Sequence, residues 1–251
     1  MWLRLRQIAL VARELAPVEK DIIDVLGVAV CYRDPGVATY GLENALFPIG
    51  NQLLEVVAPV ETETAGGRYL ERRGGDGGYM VITQCNDHDP RRARVQELGV
   101  RLVTDHDGRE YRIMQLHPKD TGGTFFEIDE QLGDNAHDED GPWHPAGPNW
   151  QRAKQTERVV GIVGAEIQCD DPAEVARRWA EIAEIELDGL TVQLENAELR
   201  FVSISDGRPE GLSAIDVATN DRQAIIAAAK GINAALSEHQ IELCGLRINL
   251  V

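Results

Sequence analysis

Basic residues are scarce in this 251-residue chain. It contains 25 lysines and arginines against 42 aspartates and glutamates, which gives a formal net charge of −17. A surplus of this sign repels the phosphates of nucleic acids and of anionic lipid surfaces. We therefore expect neither a nucleic acid nor a membrane as partner, and the acidic residues, spread among apolar ones, are typical of solvated faces.

Long apolar runs and closely spaced cysteines are also missing. No stretch approaches the roughly 20 apolar residues that a membrane-spanning helix requires. Near the N-terminus, Gln7, Arg13 and Glu14 interrupt the apolar residues too early for a signal peptide. The four cysteines stand far apart, at Cys31, Cys85, Cys169 and Cys244. This spacing lacks the pairing of zinc and redox motifs and favours reduced thiols in a cytoplasmic protein.

What the sequence does contain is an internal repeat. Residues 7–11 and 79–85 each form an apolar strand pattern that is followed by a helix pattern. Each helix ends at a Leu-Gly-Val sequence, at 26–28 and at 98–100, which is expected to open the next strand. The constant offset between the two units predicts two related modules in the first half of the chain.

Each unit ends in a strand that carries one glutamate among apolar residues. GNQLLEV at 50–56 aligns with GGTFFEI at 122–128, so Glu55 corresponds to Glu127. A carboxylate on a strand face that points to a core is unfavourable without a partner. A single such glutamate usually faces solvent, but two at equivalent repeat positions predict a shared concave surface onto which both project.

The second half repeats the pattern more loosely. Strands near 159–169 and 212–218 are each followed by a helix, and a final strand is expected at 240–250. Between the halves lies a segment rich in Gly, Pro, Asp and Asn. Its Trp143 and Trp150 predict an ordered connection, because two indole rings need burial.

These patterns divide the chain into three predicted parts. Residues 1–133 form one complete domain of two modules, and residues 134–156 form the tryptophan-containing linker. Residues 157–251 form a divergent, shortened second copy of the same domain.

Four segments carry a family resemblance: QIALVAREL, GNQLLEVVAP, GRYLERRGGDGGYMVITQ and HPKDTGGTFFEID. Over residues 5–130 the chain resembles the vicinal oxygen chelate superfamily, which includes glyoxalase I, methylmalonyl-CoA epimerase, extradiol dioxygenases and bleomycin-resistance proteins. The resemblance implies an α+β glyoxalase-like fold in which tandem βαβββ modules form curved mixed sheets, with two copies per chain.

The resemblance also implies a metal site. In that superfamily, the first and last strands of two modules place four ligands around one divalent metal. The corresponding positions are Gln7, Glu55 and Glu127, with the apolar Val81, or Met80 after a one-residue slip, as the fourth. Three oxygen donors without imidazole suit Mg²⁺ or Mn²⁺ better than Ni²⁺ or Zn²⁺, and we expect a degenerate site, occupied or empty. In the second copy, Val163-Gly164-Ala165 offers no ligand.

The function implied by the resemblance is an enzyme of isomerase, epimerase or lyase type that acts on a small carbonyl compound. Glu127 or Glu55 serves as the base for proton abstraction next to the carbonyl. His117, in the HPKDTGG turn, is a candidate hydrogen-bond donor or proton shuttle. Arg72 and Arg73 are either surface charges or an attraction for an anionic substrate group.

Two alternatives stay open at this point. A metal-free protein that sequesters a small ligand, as bleomycin-resistance proteins do, is favoured by the apolar fourth position. A ring-cleaving dioxygenase needs two histidines and a carboxylate around iron, and neither half has a histidine in its first strand. The partner expected from all these alternatives is a small molecule, and the oligomeric state is open, with a homodimer as one possibility.

Overall fold

The computed structural model describes residues 1–251, and its first half forms a seven-stranded mixed sheet. In the sheet the strands lie in the order β2-β3-β1-β4-β7-β6-β5. The strands are β1 (Leu3–Val11), β2 (Leu42–Ile49), β3 (Gln52–Pro59), β4 (Gly77–Cys85), β5 (Leu102–Asp107), β6 (Tyr111–Leu116) and β7 (Phe125–Gln131).

The second half forms another seven-stranded sheet. Its order is β13-β14-β12-β8-β11-β10-β9. The strands are β8 (Val159–Cys169), β9 (Leu187–Asp188), β10 (Thr191–Gln193), β11 (Glu198–Ser203), β12 (Gly211–Thr219), β13 (Gln240–Leu243) and β14 (Leu246–Leu250).

Five helices accompany the sheets, and none is long and apolar enough to cross a membrane. They are α1 (Leu15–Leu26), α2 (Ala65–Arg73), α3 (His88–Glu97), α4 (Pro172–Ala183) and α5 (Arg222–Gly231). Helix α4 shows how the sequence sets a boundary. Pro172 occupies the first turn, and the side chain of Asp171 accepts a hydrogen bond from the backbone N–H of Glu174.

Strand pairing confirms the predicted fold class of tandem modules. In the first sheet, β1 pairs in parallel with β3 and β4 in parallel with β7, and the central pair β1–β4 is antiparallel. The second sheet repeats this scheme with β8–β11, β12–β14 and the central pair β8–β12. Each half is therefore a pair of modules joined through their first strands.

Two predicted strands differ in the structure. The strand expected after Leu26-Gly27-Val28 is reduced to a single bridge between Tyr32 and Leu46, because Pro35 opens a 3₁₀ turn that Asp34 caps. The single strand expected at 240–250 is a hairpin, β13–β14, which turns at Cys244 and Gly245. Both residues have positive φ, of 51° and 61°.

The two halves share one hydrophobic core. Fifty buried residues from both sheets and their helices form a continuous cluster. Trp179 of α4 stacks on Phe126 of β7, with ring centroids 4.1 Å apart, and its N–H donates to the carbonyl of Thr121 at 3.0 Å. The division at residues 133 and 157 stays a prediction, and the packing crosses it.

The linker is ordered against the first sheet, as its tryptophans predicted. Trp143 and Trp150 are each 1% exposed, so the expected burial is confirmed. Together with Ala146 they pack on Ala9, Leu46, Leu53 and Ile82, on the side of the sheet opposite the shared core.

Candidate functional site

The two glutamates singled out in the sequence lie on one face of the first sheet. Leu54 and Val56 flank Glu55, and Phe126 and Ile128 flank Glu127, and all four of these neighbours belong to the shared core. Because successive side chains of a strand point to opposite faces, both carboxylates point away from that core. We call this opposite side, which carries Gln7, Ala9, Glu55, Met80 and Glu127, the cup face.

Glu55 is held by two amide side chains. Gln7 donates to its Oε2 at 2.8 Å, and Asn44 donates to its Oε1 at 2.6 Å. Each amide is oriented by a second bond: the indole N–H of Trp143 donates to Gln7 Oε1, and the backbone N–H of Asp34 donates to Asn44 Oδ1, both at 2.8 Å. Both amide nitrogens are thereby directed at the carboxylate.

Burial changes the acidity of Glu55. The side chain has no basic partner, and desolvation raises its pKa from 4.5 to about 7. The hydrogen bonds from Asn44 and Gln7 oppose this rise in pKa, and the negative charge of Glu127 adds to it. Glu55 therefore titrates near neutral pH and can both accept and return a proton there.

Glu127 forms a second cluster with another carboxyl group. Gln115 donates to its Oε2 at 2.8 Å, and the carboxyl group of Asp129, two residues along the same strand, is close enough to influence its pKa. Burial raises the pKa of both groups. For Asp129 the negative charge of Glu127 adds to the rise.

Asp129 is fixed by its own partners. The hydroxyl of Tyr111 and the backbone N–H of Met114, at 3.2 Å, donate to its two oxygens. The Tyr111 ring meets Trp143 edge-on at 5.2 Å, which links this cluster to the linker. Burial and the charges of Asp129 and Glu127 keep the pKa of Tyr111 well above its ordinary value, so the phenol stays protonated.

The raised pKa of Glu55 predicts how stability depends on pH. Glu55 binds a proton more tightly in the folded than in the unfolded state, so unfolding free energy falls as pH rises from 4.5 to about 7 and then levels off. A difference of about 2.5 in pKa between the folded and unfolded states corresponds to a loss of about 3 kcal/mol of unfolding free energy across this pH range. We expect Glu55→Gln to make this decline shallower, because the raised pKa values of Glu127 and Asp129 still contribute to it, and the exposed Glu43→Gln to leave it unchanged. Urea unfolding between pH 4 and 9 checks both, and parallel curves for wild type and Glu55→Gln would contradict it.

The fourth position of the superfamily's ligand set is occupied by Met80. Gln7 pairs with Leu53, which lies two residues before Glu55. Met80 pairs with Phe125, which lies two residues before Glu127. Met80 is thus the counterpart of Gln7, and Val81 belongs to the shared core on the other face. The sulfur of Met80 lies 3.5 Å from the amide nitrogen of Gln115.

His117 lies outside both carboxylate clusters. Its ring accepts a hydrogen bond from the backbone N–H of Lys119 at 3.1 Å and caps the 3₁₀ turn that follows. Partial burial and nearby Arg101 lower its pKa. Arg72 packs over the ring of Tyr69, and Arg73 is buried and donates to the carbonyls of Pro209 and Leu212. None of these three cationic candidates contacts Glu55 or Glu127.

The donor set does not fit a divalent metal as it is arranged. The only oxygen of the Gln7 side chain accepts from Trp143, so its nitrogen, which cannot ligate, faces Glu55. Both oxygens of Glu55 accept from amides. Across residues 1–251, no three His, Cys, Asp or Glu side chains are grouped as a metal site would require.

The cup is apolar at both ends of the carboxylates. One end is closed by the linker tryptophans. At the other, Tyr69, Tyr79 and Phe125 pack together, with centroid separations of 4.8 Å for Tyr69–Tyr79 and 5.0 Å for Tyr79–Phe125. Glu55 and Glu127 are 7% and 5% exposed, and Asp129 is fully buried.

The second sheet carries different chemistry at the same positions. The first strand of each sheet, β1 and β8, contains a β-bulge one residue before the position of Gln7 or of its counterpart. When the two sheets are aligned at this bulge, Gly164 takes the position of Gln7, Arg200 that of Glu55 and Asn249 that of Glu127. Arg200 and Asn249 both bond to Asp216. The pair of facing carboxylates is therefore particular to the first sheet.

Comparisons with known proteins agree with this architecture. A family model described as "Glyoxalase-like domain" matches residues 8–183. No curated protein matches the chain. A hypothetical protein from Staphylococcus aureus matches over 100% of this chain and 99% of its own, with 14% identity and a TM-score of 0.65, so the two-sheet fold recurs over the whole length.

Two methylmalonyl-CoA epimerases are similar to part of the chain. The Streptomyces coelicolor enzyme, solved with 2-nitronate-propionyl-CoA, is 21% identical and covers 53% of this chain and 100% of its own, with a TM-score of 0.47. The Mycobacterium tuberculosis enzyme is 26% identical and covers 53% of this chain and 91% of its own, with a TM-score of 0.46.

Proposed function

The chain belongs to the glyoxalase-like domain family of the vicinal oxygen chelate superfamily, and from that premise we propose that its cup catalyses a metal-independent proton transfer on a small carbonyl compound. The reaction class is isomerisation or epimerisation, or an elimination that begins with the same proton abstraction. The substrate enters between the two carboxylate clusters.

One observation carries this proposal. Two carboxyl centres lie on one buried face, without any cation, and burial raises the pKa of each. Glu55 has a pKa of about 7 and is partly ionised at neutral pH. Burial raises the pKa of both Glu127 and Asp129, which favours retention of one proton by the pair. Carboxyl groups with separated pKa values are the arrangement that acid–base catalysis requires.

The chemistry follows from these two states. The Glu55 carboxylate removes the proton on the carbon next to the substrate carbonyl, and the electron pair of that C–H bond moves towards the carbonyl oxygen. The proton of the Glu127–Asp129 pair forms a hydrogen bond to this oxygen and stabilises the enolate. Return of the proton from Glu55 to the neighbouring carbon of the enolate completes an isomerisation, and delivery of a proton from the Glu127–Asp129 pair to the opposite face of the original carbon completes an epimerisation. Gln7 and Asn44 hold the base in place, and Tyr111 holds Asp129.

The second candidate function is sequestration of a small ligand without chemistry. It is favoured by the linker tryptophans, which close one end of the cup, and by the aromatic wall at the other end. A binder has no use for two proton-exchanging centres, however, and apolar residues at 55 and 127 would avoid the desolvation of three carboxyl groups. We therefore place it second.

The compartment proposed for this reaction is the cytoplasm. All four cysteines are free and are buried or half-buried. Thiols of this kind suit a reducing compartment.

Deuterium exchange tests the proposed reaction. We expect protein dialysed against EDTA to incorporate solvent deuterium next to the carbonyl in at least one member of a panel of hydroxyketones, 2-oxo acids and acyl thioesters, read by ¹H NMR in D₂O. Added Mg²⁺, Mn²⁺, Ni²⁺ or Zn²⁺ should leave the rate unchanged. Ligand binding without exchange would favour the sequestration function, and exchange only after metal addition would contradict the metal-free chemistry.

A further inference from the structure

A polar cleft of about 330 Å³ lies apart from the cup, where β1 meets the linker and the β10–β11 turn. Its walls include Arg4, Arg6, Gln52, His137, Glu139 and Glu195. The turn is fastened to β1 because Asn196 accepts from the backbone N–H of Leu5 at 2.8 Å and donates to its carbonyl at 3.0 Å. Both halves of the chain therefore contribute to the cleft.

Two arginines in this cleft are buried without an acidic partner. Arg4 is 8% and Arg6 1% exposed. Arg4 donates to the side-chain oxygen of Gln84 and to the carbonyls of His137 and Asp138. Arg6 donates to backbone carbonyls only, those of Asn51, Glu139 and Gly141. These bonds fasten the linker to β1, but every acceptor is neutral. Glu139, Glu195 and Asp138 act on Arg4, and Asp140 on Arg6, only through space and without a side-chain hydrogen bond, and the Arg6 guanidinium also packs over the rings of Trp143 and Trp150.

Such an arrangement is unusual in a chain of net charge −17. Buried guanidinium groups are normally paired with a carboxylate. Burial lowers the pKa of Arg6 to about 9, and the charge of Arg4 acts in the same direction. The Nε–H of Arg6 has no hydrogen-bond partner, and the amide nitrogen of Gln52 donates to no protein group. The cleft thus combines positive charge with free donors.

We propose that this cleft binds a small oxyanion, a carboxylate or a phosphate, between Arg4 and Arg6. Guanidinium groups match the geometry of such oxyanions and form charge-assisted hydrogen bonds with them. The exposed glutamates at the rim, Glu139 and Glu195, oppose further negative charge and favour a small anion of low charge. The site is separate from the carboxylates of the cup and does not depend on the function proposed for them.

Calorimetric titration with sodium acetate and with inorganic phosphate, in a low-salt buffer at pH 6.5, tests the site. We expect one saturable site for at least one anion, and the anion that saturates identifies the chemistry. Arg4→Gln should weaken binding about tenfold or more, because a charge-assisted bond is lost. Glu195→Gln should strengthen it about two- to threefold, because a repulsive charge is removed.

Arg33→Gln, which removes an exposed arginine elsewhere, is the matched control and should bind like wild type. If Arg4→Gln does not fold, Glu195→Gln decides the question because Glu195 is exposed. The proposal is overturned if neither anion saturates the wild type. It is also overturned if Glu195→Gln leaves the affinity unchanged, or if Arg33→Gln weakens binding as much as Arg4→Gln.

Discussion

Glu127→Gln is expected to slow carbonyl-dependent proton exchange about a hundredfold or more while leaving the protein folded. The variant keeps the shape of the side chain and removes one of the two carboxyl groups proposed to share a proton, and general acid–base groups contribute at least this much to rate. The amide at 127 can donate to Asp129, which is then free to ionise. We therefore expect unfolding free energy equal to or above that of wild type.

The control for this prediction is Glu110→Gln, which neutralises an exposed glutamate in the turn between β5 and β6. It should exchange deuterium at the wild-type rate. Equal loss in both variants would indicate that net charge, and not the cup carboxylate, determines the rate. Full activity of Glu127→Gln would remove Glu127 from the mechanism.

Trp143→Ala is expected to lower the unfolding free energy by about 3–5 kcal/mol. The side chain is 1% exposed and packs on the cup face, so truncation removes buried area and leaves a cavity. It also removes the N–H that orients Gln7. With its oxygen released, Gln7 can rotate and turn that oxygen towards Glu55, which raises the pKa of Glu55 further.

Trp143→Phe separates these two effects. It retains most of the buried ring and loses only the N–H, so a smaller destabilisation of about 1–2 kcal/mol is expected, with the same upward displacement of the pH profile of exchange. Chemical denaturation and rate–pH profiles provide the two readouts. If Trp143→Ala unfolds at the wild-type urea concentration, the linker does not dock on the cup in solution.

The sequence predicted the fold well because its repeat is local and periodic. The alignment of Glu55 with Glu127, together with strand alternation, was enough to place both side chains on one face. It did not predict the loss of the strand after Val28, because that depends on how Asp34 and Pro35 turn the chain. Nor did it predict the final hairpin, because Cys244 adopts a positive φ that is unusual for a non-glycine residue.

The site was only partly predictable. Strand alternation places Asp129 on the same face as Glu127, two residues along the strand, but the raised pKa of both groups depends on burial, which the sequence does not give. Asn44 and Gln115 come from other strands, β2 and β6, and their contacts depend on register, which the sequence pattern does not fix. The family resemblance implies that Gln7 is a metal ligand. In the structure its oxygen instead accepts a hydrogen bond from Trp143, which is more than a hundred residues away in the sequence.

From the sequence, His117 is a candidate proton shuttle because histidine titrates near neutrality and lies in the HPKDTGG motif. The structure explains the motif through backbone geometry instead. His117 caps a turn, and Gly122 and Gly123 follow with φ of 68° and 80°. A Cβ at Gly123 would lie 2.4 Å from the carbonyl oxygen of Glu210, so the glycine is needed where the halves meet.

The most direct test of the central claim is the pKa of Glu55 itself in metal-free protein. Carboxyl-¹³C NMR of glutamate-labelled protein, with the Glu55 signal assigned by its loss in Glu55→Gln, measures this value. The account predicts a midpoint near pH 7 that moves downwards in Glu127→Gln, and no selective broadening of the signal by stoichiometric Mn²⁺. A midpoint near 4.5, or selective broadening by Mn²⁺, would contradict a metal-free proton-transfer cup.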